Sequence, residues 1–195
     1  MPNHVNHIDA YILAGGKSSR MGTDKGLLFF HDVPLIERII QQLQPCFQRL
    51  TIISDNPKYC QFGLPVTTDL IKDIGPAGGI HAALNHTQSE RIFATSCDMP
   101  FITTEAVQLM IENSERSQIV LPITAGKLQP LFGIYAKSCR AKWEQLITQR
   151  MIKLQEMVSH FDLAKIDLED YGICNDKLFM NVNNKTDLDQ ALQQL

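Results

Sequence analysis

Short apolar runs alternate with amphipathic segments over the first 112 residues of the chain. The apolar runs are typical of strands covered on both faces, and they lie at residues 8–13, 50–53, 63–68 and 91–96. Apolar residues recur at helical spacing after Pro34, after Pro76, and after Thr103 or Thr104. This alternation predicts βαβ units, and hence an α/β fold with a mainly parallel sheet and helices on both faces.

The second half of the chain has a less regular pattern. Two apolar runs, residues 119–123 and 129–135, flank a short glycine-containing turn, which predicts a hairpin. Pro130 favours an edge strand or a bulge, since proline donates no ladder hydrogen bond. The remaining elements are helices over 138–147 and 154–161, a strand over 178–183 and a terminal helix starting at Thr186. Without a linker or repeat, we expect one domain over residues 1–195, with residues 1–7 as a polar tail.

Composition narrows the class of protein. The chain has 195 residues, 44% of them hydrophobic and 20% charged, which is typical of a soluble globular protein. Its formal net charge of -3 argues against a general nucleic-acid binder. No run reaches transmembrane length and the first residues lack signal-peptide features, so we expect a cytoplasmic protein without membrane contact. The five cysteines have no C-x-x-C spacing and an odd count, which predicts no disulfide framework or structural zinc.

The strand over residues 8–13 runs directly into a glycine-rich, cationic segment. The glycines, hydroxyls and cations of this segment are Gly15, Gly16, Gly22, Ser18, Ser19, Lys17, Arg20 and Lys25. Such a loop can bind phosphate, because glycine lets backbone N–H groups turn toward an anion while lysine and arginine add positive charge. A flexible surface turn is the alternative interpretation.

Two familiar phosphate-binding patterns do not fit this segment. A Walker A motif needs a glycine five positions before Gly16, where the chain has Tyr11. A dinucleotide fingerprint needs a second glycine two positions after Gly15, where the chain has Lys17. The loop is therefore neither a P-loop nor a Rossmann dinucleotide motif.

Polar residues follow each of the four predicted parallel strands: the Gly15 loop, Ser54, Asp69 and Asp98. Ligands of parallel sheets bind at the carboxyl ends of the strands, so these features should converge on one crevice. Asp98 ends an apolar strand, where a buried carboxylate needs a partner. Mg²⁺ fits, since it is commonly shared between one or two carboxylates and substrate phosphates. A carboxylate that caps the following turn is the alternative.

The longest pattern lies at residues 13–25, which fit L-A-G-G-x-S-x-R-M-G-x-D-K at every fixed position. Four shorter segments follow in order, at residues 75–80, 98–101, 129–135 and 181–188. Together these segments resemble the molybdenum cofactor guanylyltransferase family and its sugar-nucleotide and cytidylyl relatives. The chain departs from the family pattern at Ala77-Gly78 and at Asn184-Lys185, where the family has Thr-Pro. The resemblance implies the three-layer, Rossmann-like fold of nucleotide-diphospho-sugar transferases.

The resemblance also implies a reaction, in which GMP passes from GTP to the terminal phosphate of Mo-molybdopterin with Mg²⁺ or Mn²⁺ as the metal. Backbone N–H groups of Ala14 to Gly16 would seat the nucleotide. The implied catalytic residues are Arg20, Lys25 and Asp98, and Asp98 is also the metal ligand. The implied nucleotide-binding residues are Leu13, Ala14, Gly15, Gly16, Lys25, Ser54, Asp69, Gly75, Gly79 and Asp98. Partner proteins would insert molybdopterin or mature molybdoenzymes.

Three assignments have alternatives at this point. Asn181 and Asn183 share one face of the predicted late strand and are implied to contact the pterin, but from the sequence alone an edge strand with outward polar residues is the better explanation. Asp69 and the glycines after it could belong to a tight turn that has no role in binding. The reaction could use CTP instead of GTP, or it could be another NTP-dependent nucleotidyl transfer to a different phosphorylated acceptor. The chain could also be a nucleotide-binding regulator that has lost catalysis. The regulator is disfavoured because Lys25 and Asp98 are both present.

Overall fold

The computed structural model describes residues 7–15, 24–173 and 177–193. Within these ranges the strands are β1 Ile8–Leu13, β2 Phe29–Phe30, β3 Val33–Pro34, β4 Leu50–Ile53, β5 Val66–Thr67, β6 Arg91–Ser96, β7 Ile119–Thr124, β8 Lys127–Leu128, β9 Phe132–Ala136 and β10 Leu163–Asp167. The helices are α1 Leu35–Leu43, α2 Pro76–His86, α3 Thr104–Glu112, α4 Arg140–Thr148, α5 Leu154–Val158 and α6 Lys185–Leu192. None of the described helices is both long and apolar enough to span a membrane.

The main sheet has the strand order β10-β7-β9-β6-β1-β4-β5, with β8 paired to β7. β1 lies between β4 and β6 and pairs in parallel with both. β9 runs antiparallel to its two neighbours, β6 and β7. The short strands β2 and β3 form a separate hairpin. The expected mainly parallel α/β sheet is confirmed, with an antiparallel strand inside it.

Every residue of β1 is buried, because helices cover both faces of the sheet. Alternate residues of β1 point to opposite faces: Ile8, Ala10 and Ile12 pack with α1 and α3, whereas Tyr11 and Leu13 pack with α2 and α4. Helices therefore enclose the sheet in three layers, as the resemblance implied. The apolar stripes of α1 and α2 begin where the sequence predicted them.

Two predictions in the second half are wrong, and one strand was not predicted. Residues 178–183 form no strand; they lie in turns and irregular backbone. The run after Pro130 is not at an edge, because β9 starts at Phe132 and lies between two strands. Pro130 precedes the strand, where its missing N–H breaks no ladder bond, and its carbonyl accepts from the Tyr135 hydroxyl at 2.5 Å. The edge position is taken by β10, whose alternation of exposed and buried residues the sequence analysis missed.

The terminal helix begins at Lys185 rather than Thr186. Its cap is Asn184, whose side-chain oxygen accepts from the Asp187 N–H at 2.9 Å. Asp187 in turn accepts from the Asn183 N–H at 2.8 Å. Asn184, which replaces the family's threonine, therefore supplies the helix start by the same capping chemistry.

Two glycines of the α2 region have distinct structural reasons. Gly75 precedes the helix with φ of 62° and ψ of -146°, a backbone conformation that L side chains rarely adopt. Gly79 lies against β1, where an added Cβ would be 2.9 Å from Leu13 Cδ2. These glycines let α2 pack closely on β1 and direct its first turn toward the carboxyl edge of the sheet.

Candidate active site

A cavity of about 560 Å³ opens at the carboxyl ends of the parallel strands. Its walls come from the ends of β1, β4 and β6, the segment after β5, and the start of α2. Its lining residues are Leu13, Ala14, Gly15, Asp24, Ile53, Ser54, Asp55, Asn56, Asp69, Lys72, Asp73, Gly75, Pro76, Gly79, Ser96 and Leu131. The volume suits a nucleotide-sized ligand. The predicted residues at the ends of β1, β4 and β5 are thus brought together as expected.

The end of β1 offers fewer free amides than the sequence suggested. The Ala14 N–H donates to the Ile53 carbonyl at 2.9 Å, so it belongs to the sheet ladder and cannot also seat an anion. The Gly15 N–H donates no hydrogen bond within the described part of the chain. Gly15 is exposed, and a Cβ there would point to within 3.7 Å of Asp69 Oδ2. Gly15 therefore faces the cavity, and Gly16 lies outside the described residues.

Lys25, Asp98 and Asn183 form a polar cluster beside the cavity. Lys25 Nζ donates to Asn183 Oδ1 at 2.7 Å and lies 3.6 Å from Asp98 Oδ2. The Asp98 side chain is 14% exposed and that of Lys25 is 26% exposed. Ser96, which lines the cavity, donates its hydroxyl to Asp98 Oδ1 at 2.6 Å and so joins this cluster to the cavity. Three segments distant in sequence thus place a cation and a carboxylate at one point.

Asn183 reaches this cluster although it lies on no strand. The Val182 N–H donates to the Asp98 carbonyl at 2.9 Å, which anchors the irregular segment against the end of β6. The Asn181 amide donates to the Phe179 carbonyl at 3.4 Å, within its own segment. Among the described residues, Asn183 therefore contacts other predicted site residues, whereas the amide of Asn181 bonds within its own segment.

The Asp69 carboxyl group lies in an environment that disfavours its ionised form. Burial, together with the nearby charge of Asp55, raises the pKa of the Asp69 carboxyl above its usual value. Its Oδ1 is buried and accepts no hydrogen bond from the described residues. A buried acceptor without a donor is costly, and a ligand donor in the cavity would remove that cost. Lys72 and Asp55 form an ion pair on the exposed rim of the same cavity.

The Ser54 side chain makes hydrogen bonds to backbone groups of two loops. Its hydroxyl donates to the Ala14 carbonyl at 3.0 Å and accepts from the Asn56 N–H at 3.2 Å. The first bond holds the loop after β4 against the end of β1, and the second shapes the loop after β4 itself. Ser54 is 4% exposed, so its side chain is committed to the protein even though the residue lines the cavity.

The sequence analysis missed Asp24, Asn56 and Tyr59. Asp24 accepts hydrogen bonds from the Tyr59 hydroxyl at 2.5 Å and from Asn56 Nδ2 at 2.9 Å. Asp24 belongs to the D-K end of the long motif, which was a usable signal, but nothing in the sequence links Tyr59 to it. The predicted catalytic residue Arg20 lies outside the described residues.

The oxygen ligands beside the cavity suit a divalent cation that brings further ligands with it. No three His, Cys, Asp or Glu side chains come together as a metal site in the ranges that the structure describes. Mg²⁺ does not need such a group, because it commonly takes one or two carboxylates and completes its shell with water and phosphate oxygens. Within the described ranges, Asp98 Oδ2 has the ion pair with Lys25, at 3.6 Å, as its one charged contact, and so it can accept a metal. The carboxylate fits a cation that arrives with a nucleotide.

Residues 10–162 match the family described as the MobA-like NTP transferase domain. The chain belongs to the MobA-like NTP transferase family. The match spans β1 to the end of α5 and the loop that follows, so it contains Lys25, Asp69 and Asp98. Asn183 lies beyond the matched range.

Relatives of this MobA-like chain extend the comparison to nearly its whole length. It is 35% identical to a Clostridium perfringens protein named probable molybdenum cofactor guanylyltransferase, over 95% of this chain and 96% of that one. It is 34% identical to the molybdenum cofactor guanylyltransferase of Vibrio parahaemolyticus, over 92% of each. The solved molybdopterin-guanine dinucleotide biosynthesis protein A of Archaeoglobus fulgidus superposes with a TM-score of 0.81 at 24% identity, covering 95% and 97% of the two chains. That likeness confirms the fold.

Proposed function

We propose that this MobA-like chain is a molybdenum cofactor guanylyltransferase. It would transfer GMP from GTP to the terminal phosphate of Mo-molybdopterin and release pyrophosphate. The observation that carries this proposal is the cluster of Lys25, Asp98 and Asn183 beside a nucleotide-sized cavity. The relatives named as guanylyltransferases, at 34% and 35% identity, support GTP and the pterin as substrates.

The chemistry needs alignment and positive charge more than a base. An oxygen of the acceptor phosphate attacks the α-phosphorus of GTP, the bond to the bridging β-phosphate oxygen breaks, and pyrophosphate leaves with the electron pair. The attacking phosphate is already anionic, so no proton has to be removed first. Lys25 would neutralise charge that develops toward pyrophosphate, and Asn183 would hold its ammonium group in place. We assign Arg20 the same charge-neutralising role.

A divalent cation, Mg²⁺ or Mn²⁺, would be held by Asp98 and would neutralise the nucleotide phosphates when bound. Ser96 fixes Oδ1 of that carboxylate and leaves Oδ2 directed at Lys25. The Lys25 ammonium, 3.6 Å away, lowers the cost of a carboxylate that is only 14% exposed before the metal arrives.

The nucleoside would occupy the part of the cavity near Asp69. Asp69 Oδ1 needs a donor, which a guanine N–H or a ribose hydroxyl can supply. The Gly15 N–H, which has no acceptor among the described residues, would bind a phosphate oxygen, and we include Gly16 in the same loop. Gly75 and Gly79 would contribute close backbone approach at the start of α2 rather than polar side chains.

The proposal is tested by pyrophosphate release from GTP with the pterin acceptor and Mg²⁺. Asp98→Asn and Lys25→Met should each lower kcat by about 10²–10³-fold, the usual loss when one preorganised charge is removed. Glu115→Gln is the control, since Glu115 pairs with Arg91 at the opposite end of β6. If Asp98→Asn keeps a rate within a few-fold of wild type, the metal role is wrong. Binding of Mn²⁺ in the presence of GTP, followed by its electron spin resonance, should weaken in the same variant.

Nucleotide choice is tested with all four nucleoside triphosphates under identical conditions. GTP should be the substrate, and Asp69→Ala should raise the KM for GTP more than it lowers kcat, because the contact lies on the nucleoside. Turnover of CTP without turnover of GTP would replace this proposal with a cytidylyltransferase. A cytoplasmic location and transfer of the product to molybdoenzyme maturation proteins belong to the same proposal.

A further inference from the structure

Tyr59 is a buried tyrosine whose hydroxyl lies under the segment that carries Lys25. It belongs to the 3-10 helix Pro57–Phe62, which follows β4, and its side chain is fully buried. The hydroxyl donates to Asp24 Oδ1 at 2.5 Å. The neighbouring Asn56 Nδ2 donates to Asp24 Oδ2 at 2.9 Å, so one short stretch of chain engages both carboxylate oxygens.

Asp24 in turn fixes the backbone around Lys25. Asp24 caps the 3-10 turn Lys25–Leu27, and its Oδ1 accepts from the Gly26 N–H at 3.3 Å. The Leu27 N–H also donates to the Asp24 carbonyl at 3.1 Å. The backbone on both sides of Lys25 is therefore fixed to a residue that Tyr59 and Asn56 hold.

The same hydroxyl also lies beside Cys97, the residue that follows β6. A Cβ added to Gly26 would be 2.4 Å from Tyr59 Oη and 3.1 Å from Cys97 Sγ, so the three groups meet at one point. Cys97 directly precedes Asp98. Burial, with the adjacent Cys97 and Asp24, raises the pKa of Tyr59 far above its ordinary value, so the hydroxyl keeps its proton and remains a donor.

We propose that Tyr59 is a positioning residue, which fixes the turn carrying Lys25 against the strand end carrying Asp98. The hydroxyl is the shared contact between these two segments, and through it the separation of the Lys25 ammonium and the Asp98 carboxylate is set. This inference rests on the proposed function. Misplacing one charged group by about 1 Å costs on the order of 10²-fold in rate when alignment dominates catalysis.

Tyr59→Phe tests this inference, because it keeps the ring and removes only the hydroxyl. We expect kcat to fall by about 10- to 100-fold while the KM for GTP changes by less than about threefold, since Lys25 acts on the transition state. The matched control is Tyr11→Phe. Tyr11 is also buried and bonds His86 Nδ1 at 3.0 Å, away from the cluster. That variant should lose similar stability and keep wild-type kcat.

A double-mutant cycle separates positioning from general destabilisation. In a Lys25→Met background, Tyr59→Phe should cause less than a twofold further loss of kcat, because its effect passes through Lys25. A loss that is as large in this background as in the wild type would overturn the inference, and so would an unchanged kcat in the single variant.

Hydrogen exchange gives a readout that does not depend on the reaction. Amides of residues 25–28 should exchange about tenfold faster in Tyr59→Phe than in wild type or in Tyr11→Phe, because the Asp24 carboxylate that caps their turn is no longer held by the Tyr59 hydroxyl. If the wild-type chain fails to turn over GTP, the proposed function is wrong, and exchange still decides whether Tyr59 anchors the turn. Unchanged exchange of residues 25–28 in Tyr59→Phe would refute the anchoring.

Discussion

The close contact between α2 and β1 predicts that a helix-favouring substitution will destabilise the protein. Gly79 lies inside α2, where alanine has a higher helix propensity than glycine. A Cβ at this position would be 2.9 Å from Leu13 Cδ2 and 3.2 Å from Cδ1. Carbon atoms pack best at about 3.5–4.0 Å, so the new methyl group overlaps a leucine that is 8% exposed. Helix propensity and packing therefore act in opposite directions in Gly79→Ala.

The expected magnitudes decide the sign. Alanine in a helix interior gains about 1 kcal/mol over glycine. Overpacking a buried contact costs about 1–3 kcal/mol, and the atoms that must shift here are the methyl groups of Leu13. Gly79→Ala should therefore lower the free energy of unfolding by about 1 kcal/mol. In a Leu13→Ala background the overlap is gone, and the same substitution should raise the free energy of unfolding by about 1 kcal/mol.

Urea denaturation of the four proteins, followed by circular dichroism, measures both values and their coupling of about 2 kcal/mol. Leu13→Ala alone should cost about 2–5 kcal/mol, because it leaves a cavity between α2 and β1. If Gly79→Ala stabilises the wild type by as much as it stabilises the Leu13→Ala protein, the close approach does not limit packing and the reasoning is refuted.

Three further predictions concern stability. Burial lowers the pKa of His81 below 6.5. As pH falls through 6.5, the unfolded chain therefore takes up the proton first, and the free energy of unfolding drops. The urea midpoints at pH 7.5 and 5.5 should differ less in His81→Gln than in the wild type. Burial alone would raise the pKa of Asp9, but hydrogen bonds from Thr87, Arg49 and Ser89 lower it below 3.8. The ionised Asp9 carboxylate therefore stabilises the fold above pH 3.8, and this contribution is lost as pH falls through the folded-state pKa. Asp9→Asn should thus cost about 1.5–3 kcal/mol at pH 7, by urea titration, and less near pH 3. Asn184→Ala should cost about 1 kcal/mol in the same assay through loss of the α6 cap, whereas Gln190→Ala, on the exposed part of that helix, should change little.

The first half of the fold was predictable because its elements obey local rules. β1, β4 and β6 are mainly apolar runs, and α1 and α2 begin at or just after a proline. The second half depends on pairing that is not local. β10 is short and partly exposed, and β9 joins the sheet between two strands that precede it in the chain. An apolar run such as residues 178–183 is buried here by packing of an irregular segment, which the sequence pattern cannot distinguish from a strand.

The candidate site was predicted residue by residue where a motif marked it, and missed where support came from elsewhere. Lys25, Asp98 and Asn183 were named from three separate motifs, and the structure brings them together. Tyr59 lies in a 3-10 helix without a motif, and its role follows only from the contact of its hydroxyl with Asp24. Ala14 was assigned a free amide, yet its position in the ladder with Ile53 removes that donor.

The bond between Lys25 and Asn183 joins residues 158 positions apart, which has a consequence for the timing of synthesis. Chains fold progressively from the amino terminus as they emerge from the ribosome. When β10 has emerged, every described residue that lines the cavity is present, but the segment that holds the Lys25 ammonium is not. We expect a nascent chain to gain nucleotide binding before it gains catalytic competence, so that an unfinished chain would bind GTP without consuming it.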